Sequence, residues 1–187
     1  MALLSDRLAV PLALACVLAC PVRLPDGTAF AQGASGLILE ANEGERRARR
    51  TGDFPFILKV DKQNGASPDL VMGMEDLKPG QDIPPHRHLL ADEIVFIHKG
   101  SAVVRLGERE LVVHEGGTVF IPRNVRIALK NPGPDRLTIV FIFSKPGFED
   151  YLRDTSALEG QPNPPVSPEM RAKIRQKHAW HTIYEQP

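Results

Sequence analysis

Apolar and polar positions change pattern along this chain, and each pattern predicts a different kind of element. Between residues 54 and 145 the apolar positions come in short, β-branched runs: 56–60, 70–77, 93–98, 102–106, 110–113, 118–121, 125–129 and 137–143. Short runs at this close spacing predict antiparallel strands in a sandwich or barrel. Their separators agree, because Asn64-Gly65, Pro79-Gly80, Lys99-Gly100, Gly107-Glu108, Gly116-Gly117, Arg123-Asn124 and Pro132-Gly133 supply the positive or pre-set φ that hairpins need. No run alternates with a long helical pattern, which argues against a parallel α/β sheet. After Pro146 the pattern turns helical. Residues 148–153 predict a short helix, 161–165 a Pro-containing linker, and Ser167-Pro168-Glu169 a second helix with a cap, a first-turn Pro and an early acid. This tail, 146–187, is expected to wrap the barrel or a neighbouring subunit. Residues 32–53 are small, polar and charged, and the run Glu45-Arg46-Arg47-Ala48-Arg49-Arg50 reads as a solvated leader segment with at most one short helix.

An apolar run over 8–20 follows Arg7 and is too short to span a bilayer as a helix. With Ala29-Phe30-Ala31 ahead of Gln32, it predicts a signal peptide over 1–31 and a periplasmic or secreted protein without a transmembrane segment in the mature chain. Val17-Leu18-Ala19-Cys20 resembles a lipobox, so the alternative is a lipoprotein anchored through Cys20. Both cysteines, Cys16 and Cys20, fall in this stretch. Ordinary cleavage therefore removes disulfides, thiolate catalysis and Cys-ligated zinc together. The 23 Lys and Arg balance the 23 Asp and Glu. A nucleic-acid partner would demand a basic face, so that class is set aside. At 187 residues, one domain is expected.

The candidate chemistry lies between Gly80 and Gly100. His86 and His88 are two apart, so on a strand they share a face with side-chain origins about 6.6 Å apart, close enough for two imidazoles to hold one metal ion. A short turn over 89–92 lets Glu93 open the neighbouring strand and face the same interior. Two neutral nitrogens and one carboxylate suit a divalent metal with open positions, iron first, with manganese, nickel or zinc also compatible. Pro84 and Pro85 remove two amide donors and suit a rim segment. By strand parity Val95 and Ile97 face inward with Glu93, and His98 faces away. Val125, Ile127 and Leu129 are expected to line the barrel near the metal and make the pocket apolar. His114 reads as a turn residue, and His178 and His181 as tail packing or dimer contacts.

The order Gly80, five residues, His86, one, His88, four, Glu93, six, Gly100 resembles the first cupin motif at every position. The second motif is similar but altered: Gly116, five residues, Pro122, one, Asn124 for the usual Gly, two, Ile127 for the usual metal-binding His, three, Asn131. Asn tolerates the left-handed region that the Gly position needs. The resemblance spans about 56–145 and implies an all-β, antiparallel jelly-roll barrel (54–145) with its site in the mouth, followed by the helical tail. It also implies a ligand set reduced to His86, His88 and Glu93, with Ile127 pointing at the metal from across the barrel. Two readings follow. One is a metal-dependent oxidoreductase of dioxygenase type on a small aromatic or enolic molecule. The other is a small-ligand-binding or accessory cupin without turnover or metal. A homodimer is expected because sheet edges need cover.

Overall fold

The computed structural model describes residues 36–50, 55–64 and 67–185. The signal-peptide and lipobox expectations fall outside the described residues. In chain order the elements are β1 (Glu45–Arg49), β2 (Phe56–Val60), β3 (Val71–Leu77), β4 (Asp82–His88), β5 (Glu93–Lys99), β6 (Ser101–Leu106), β7 (Arg109–His114), β8 (Thr118–Ile121), β9 (Ile127–Lys130) and β10 (Leu137–Phe143). These are followed by α1 (Phe148–Asp154), β11 (Ser156–Leu158), α2 (Pro168–His178) and β12 (Thr182–Tyr184).

Among the described residues all strand pairings are antiparallel and fall into two sheets. One sheet has seven strands in the order β11-β1-β2-β3-β10-β5-β8, the other five in the order β12-β4-β9-β6-β7. The fold is the expected all-β jelly roll with a helical tail. Alternation places it: β5 buries Glu93, Val95 and Ile97 and exposes Ile94 and Phe96, and β10 buries every second residue from Leu137 to Phe143. Inward residues of both sheets, among them Val95, Ile97, Val104, Ile121, Leu129 and Ile139, form one apolar core. Each fully buried side chain of this size contributes about 1.5–3 kcal/mol. A second cluster, with Phe56, Phe141, Phe143, Tyr151 and Leu152, joins one end of the larger sheet to α1. Gly73 on β3 belongs to this packing, because a Cβ there would overlap the ring of its cross-strand partner Phe141 and the Ile57 carbonyl.

The turns behave as their residues require. Gly80, Gly100 and Gly116 all have positive φ, and Asn124 takes φ 63 at the position where Gly was replaced. At Gly100 a side chain would also strike the Arg136 carbonyl.

Two expectations need correcting. Residues 45–49 are not a solvated leader or a helix: they form β1, paired with both β2 and β11. The arginines made the run look solvated, yet Arg46, Arg47 and Arg49 each have a partner within the chain. Arg47 donates to Glu45 and Ser156, Arg49 pairs with Glu75 at 2.5 Å, and Arg46 pairs with Glu159 at 2.6 Å. Arg153 of α1 closes the cluster on Glu45 and the buried Asp61, and these partners hold its guanidinium well above the ordinary range against the opposing effect of burial. Ahead of β1, the carbonyls of Glu40, Ala41 and Glu43 accept from the buried Lys59 ammonium at 2.9–3.0 Å, so this stretch caps a core lysine. The second correction concerns 82–88, which is a strand inside the smaller sheet and not a rim segment. Pro84 and Pro85 are accommodated by a register shift between Ile83 and His86 in its pairing with β9.

Candidate metal centre

His86 and His88 leave β4 on its inward face, and both are buried. Glu93, the first residue of β5, is buried as well. β5 belongs to the facing sheet, so the carboxylate approaches from opposite the imidazoles rather than from a strand beside them. The connecting turn is pinned on both sides. Ser144 Oγ accepts from the Asp92 amide at 2.9 Å, the Asp92 carboxylate accepts from the Arg123 amide at 2.8 Å, and the Asn124 amide donates to the His88 carbonyl at 2.6 Å.

One ligand atom from each of His86, His88 and Glu93 lies within 4.8 Å of the others. Donors about 2.1 Å from one ion lie about 3.0–3.4 Å apart at octahedral or tetrahedral angles, so the His88–Glu93 pair at 3.4 Å already has that spacing and the widest pair would close by up to about 1.4–1.8 Å. His88 Nε2 and Glu93 Oε2 are 3.4 Å apart, both buried, and neither has a hydrogen-bond partner among the described residues. A buried lone pair facing a carboxylate oxygen is costly unless a cation lies between them. On this observation the donor set fits a divalent ion. His86 Nδ1 donates to the Pro84 carbonyl at 2.8 Å, which leaves its Nε2 as the lone-pair nitrogen. Burial, then the neighbouring His88, pushes His86 down to about 4, so this imidazole is neutral as a ligand must be.

The site opens on a cavity of about 410 Å³ walled by apolar side chains such as Val95, Ile127, Leu129 and Phe141 but also by Arg49, Glu75, Arg171 and Arg175, so it is not the wholly apolar pocket expected. Ile127 is the cross-strand partner of His86 on β9, so it stands beside that ligand in the same sheet and not across the barrel. Among the described residues the group holds three donors and no fourth. Two of the expected wall residues lie elsewhere. Ile97 is fully buried one step deeper in the core, and Val125 precedes β9 in a half-buried turn, so neither lines this cavity. His98 is exposed, and His114 bonds Ser101 at 2.9 Å away from the site.

The tail completes the centre, which sequence reasoning missed. β12 pairs with β4 in the register Thr182↔His88 and Tyr184↔His86. Tyr184 stacks on His86 at 5.4 Å, and Phe148 of α1 meets His88 edge-on at 4.7 Å. His88 Nδ1 lies 3.0 Å from Thr182 Oγ1, which is 2.8 Å from His181 Nδ1. His181 Nε2 is 3.0 Å from His178 Nδ1, and His178 Nε2 is 2.7 Å from Asp154 Oδ2. The only sequence sign of this chain was a His pair three apart where α2 ends.

Comparisons with known proteins agree with this architecture. Residues 73–143 match the family model for the cupin domain. The chain is 28% identical over 97 residues, 52% of its length, to the tetracenomycin polyketide synthase protein TcmJ of Streptomyces glaucescens, and 29% identical over 93 residues, 50% of its length, to protein SchB of Streptomyces halstedii. These stretches are 64% and 66% of the relatives' own lengths, so this chain spans slightly under two thirds of each. A predicted oxalate decarboxylase from Thermotoga maritima superimposes over its whole length and 59% of this chain, with a TM-score of 0.51 at 16% identity, a likeness of fold alone. Motif, sheet order and family match lead to one assignment: residues 73–143 are a cupin domain, and the described residues carry it on a jelly-roll fold.

Proposed function

We propose that the protein is a metal-dependent oxidoreductase of dioxygenase type acting on a small aromatic or enolic molecule. The observation that carries this is the pair of buried, unpartnered donors, His88 Nε2 and Glu93 Oε2, facing each other beside His86. Two histidines and one carboxylate are the donor set of non-haem iron oxygenases, and manganese, nickel or zinc also suit it. When bound, such an ion supplies a Lewis acid with up to three open positions. The chain's own residues do the rest. Phe141, Phe143 and Leu129 give a flat or enolic ring an apolar wall and keep water from the reacting face. A polyketide contains 1,3-dicarbonyl units that enolise, and the naming of one relative as a polyketide synthase protein supports an enolic substrate.

Ile127 favours a second reading, a ligand-binding cupin without turnover, since it stands where a fourth donor would. Elemental analysis of the purified protein, with dioxygen uptake against phenols and 1,3-diketones, separates the two. One equivalent of metal and uptake with any panel member supports the oxidoreductase. Metal-free protein that still binds panel members leaves the second reading.

The apolar run and Ala29-Phe30-Ala31 support export, with anchoring through Cys20 as the alternative. The amino-terminal residue of the mature protein decides between them. A homodimer is supported by the outward Ile94, Phe96 and Phe120, adjacent on β5 and β8 and partly exposed. A monomer mass by light scattering at micromolar concentration overturns it.

A further inference from the structure

The chain from His88 to Asp154 has five members and four links, all within 2.7–3.0 Å. His88, Thr182, His181 and His178 are buried, and Asp154 lies at the protein surface with Lys177 at 2.7 Å. Such a chain can be polarised in only two ways. A hydroxyl has one proton and a neutral imidazole has one, so the direction chosen at one link dictates every other.

Asp154 selects the direction. Burial works against its charge, but hydrogen bonds from Lys177 and His178 hold its carboxyl below the ordinary range, so it is an acceptor only. His178 Nε2 must therefore carry a proton, and in the neutral ring Nδ1 accepts from His181 Nε2–H. His181, pushed down to about 4 by burial first and then by His178, is neutral, so its Nδ1 accepts from the Thr182 hydroxyl. Thr182 Oγ1 then accepts from His88 Nδ1–H. His88 is left with its lone pair on Nε2, the atom that faces Glu93.

We propose that Asp154, His178, His181 and Thr182 act as positioning residues that set the tautomer of His88 from the protein surface, so that its Nε2 is presented as a metal donor. The local contacts do not supply this choice: the Glu93 carboxylate 3.4 Å from Nε2 favours a proton on that nitrogen, and Nδ1 meets a hydroxyl that can donate or accept. The bias comes from the carboxylate four links away. β12 is built into the sheet beside β4 for this geometry to exist, with Thr182 in register with His88 and the Leu89 amide donating to the His181 carbonyl at 2.7 Å. The role of the relay toward a metal rests on the function proposed above, whereas the tautomer itself does not.

The test reads the imidazole nitrogens directly. In the metal-free, 15N-labelled full chain at pH 8, where imidazoles are neutral, long-range proton–nitrogen correlation spectra should show His88 protonated on Nδ1. His178→Phe breaks the relay and should move His88 toward the Nε2–H form that the Glu93 carboxylate favours. His178→Gln keeps one acceptor for His181 and one donor for Asp154, and should restore the single Nδ1–H form. Zn2+ should bind about 10- to 100-fold more weakly to the Phe variant than to wild type. If the amide spectrum shows that the Phe variant is unfolded, Asp154→Asn, at the surface end, takes its place with the same expectation. Wild-type His88 protonated on Nε2 overturns the proposal, as does an unchanged Nδ1–H form in the variant. A Gln variant as perturbed as the Phe one would assign the effect to packing and also overturn it. Wild type that shows the Nδ1–H form but takes up no metal would refute the metal centre and leave the relay intact.

Discussion

Ile127→His puts a potential fourth donor where the cupin motif usually has one, and the structure sets the expected size of the effect. Ile127 is 3% exposed and directly opposite His86 on the adjacent strand, where Cβ atoms lie about 4.5–5.5 Å apart. The new imidazole can therefore reach the ion that His86 reaches. Without metal, the change replaces a buried aliphatic group with a polar ring lacking a partner, at about 1–3 kcal/mol. With metal, a 100-fold tighter dissociation constant would return about 2.7 kcal/mol under saturating conditions. A domain of this size moves by about 2–4 °C per kcal/mol. The variant should thus melt several degrees below wild type in chelator, and its upward shift on adding excess Zn2+ should exceed that of wild type by roughly 5–10 °C. Thermal melts followed by circular dichroism, with chelator and with metal, measure both. Equal metal-induced shifts in the two proteins would show that residue 127 does not face the ion, and that the second-motif register is wrong.

Other outcomes follow from the same geometry. His86→Ala combined with His88→Ala should remove the bound metal; equal metal content in the wild type and the double variant, by elemental analysis, would refute the donor assignment. Arg153→Met should cost about 3–5 kcal/mol, because it strips the counter-charge from Asp61 and Glu45; a loss below 1 kcal/mol in urea unfolding would show the cluster to be dispensable. The metal-free protein should also lose stability on acidification. His86 and His181 fall to about 4 in the folded state, so between the ordinary His value of about 6.5 and pH 4 the unfolded chain binds protons that the folded chain does not. Their contribution is unaffected above that window and is lost as pH falls through it. Urea midpoints at pH 7.5, 5.5 and 4.5 that do not decline would contradict the buried, neutral state of these rings.

The strands and the donor trio were legible because they obey local rules. Alternation along 93–99 and 137–143 has period two whatever the strands pair with, and the glycines and Asn124 mark positive φ by their own sterics. His86, His88 and Glu93 were legible for the same reason: two residues apart on a strand means one face, and a four-residue turn brings the next strand's first side chain back inward. Pairing between segments distant in sequence was not legible. Arg46, Arg47 and Arg49 carry no apolar period, and only pairing with β2 and β11, with partners for their side chains at 75, 153, 156 and 159, makes a strand of them. Ile97 and Leu129 share inward parity and the same core, yet depth along the barrel, which parity does not encode, brings only Leu129 to the cavity wall. The relay is the extreme case. Thr182 lies 94 residues from His88, and only the closure of β12 against β4 brings a hydroxyl to the one ring nitrogen whose proton decides whether the other can hold a metal.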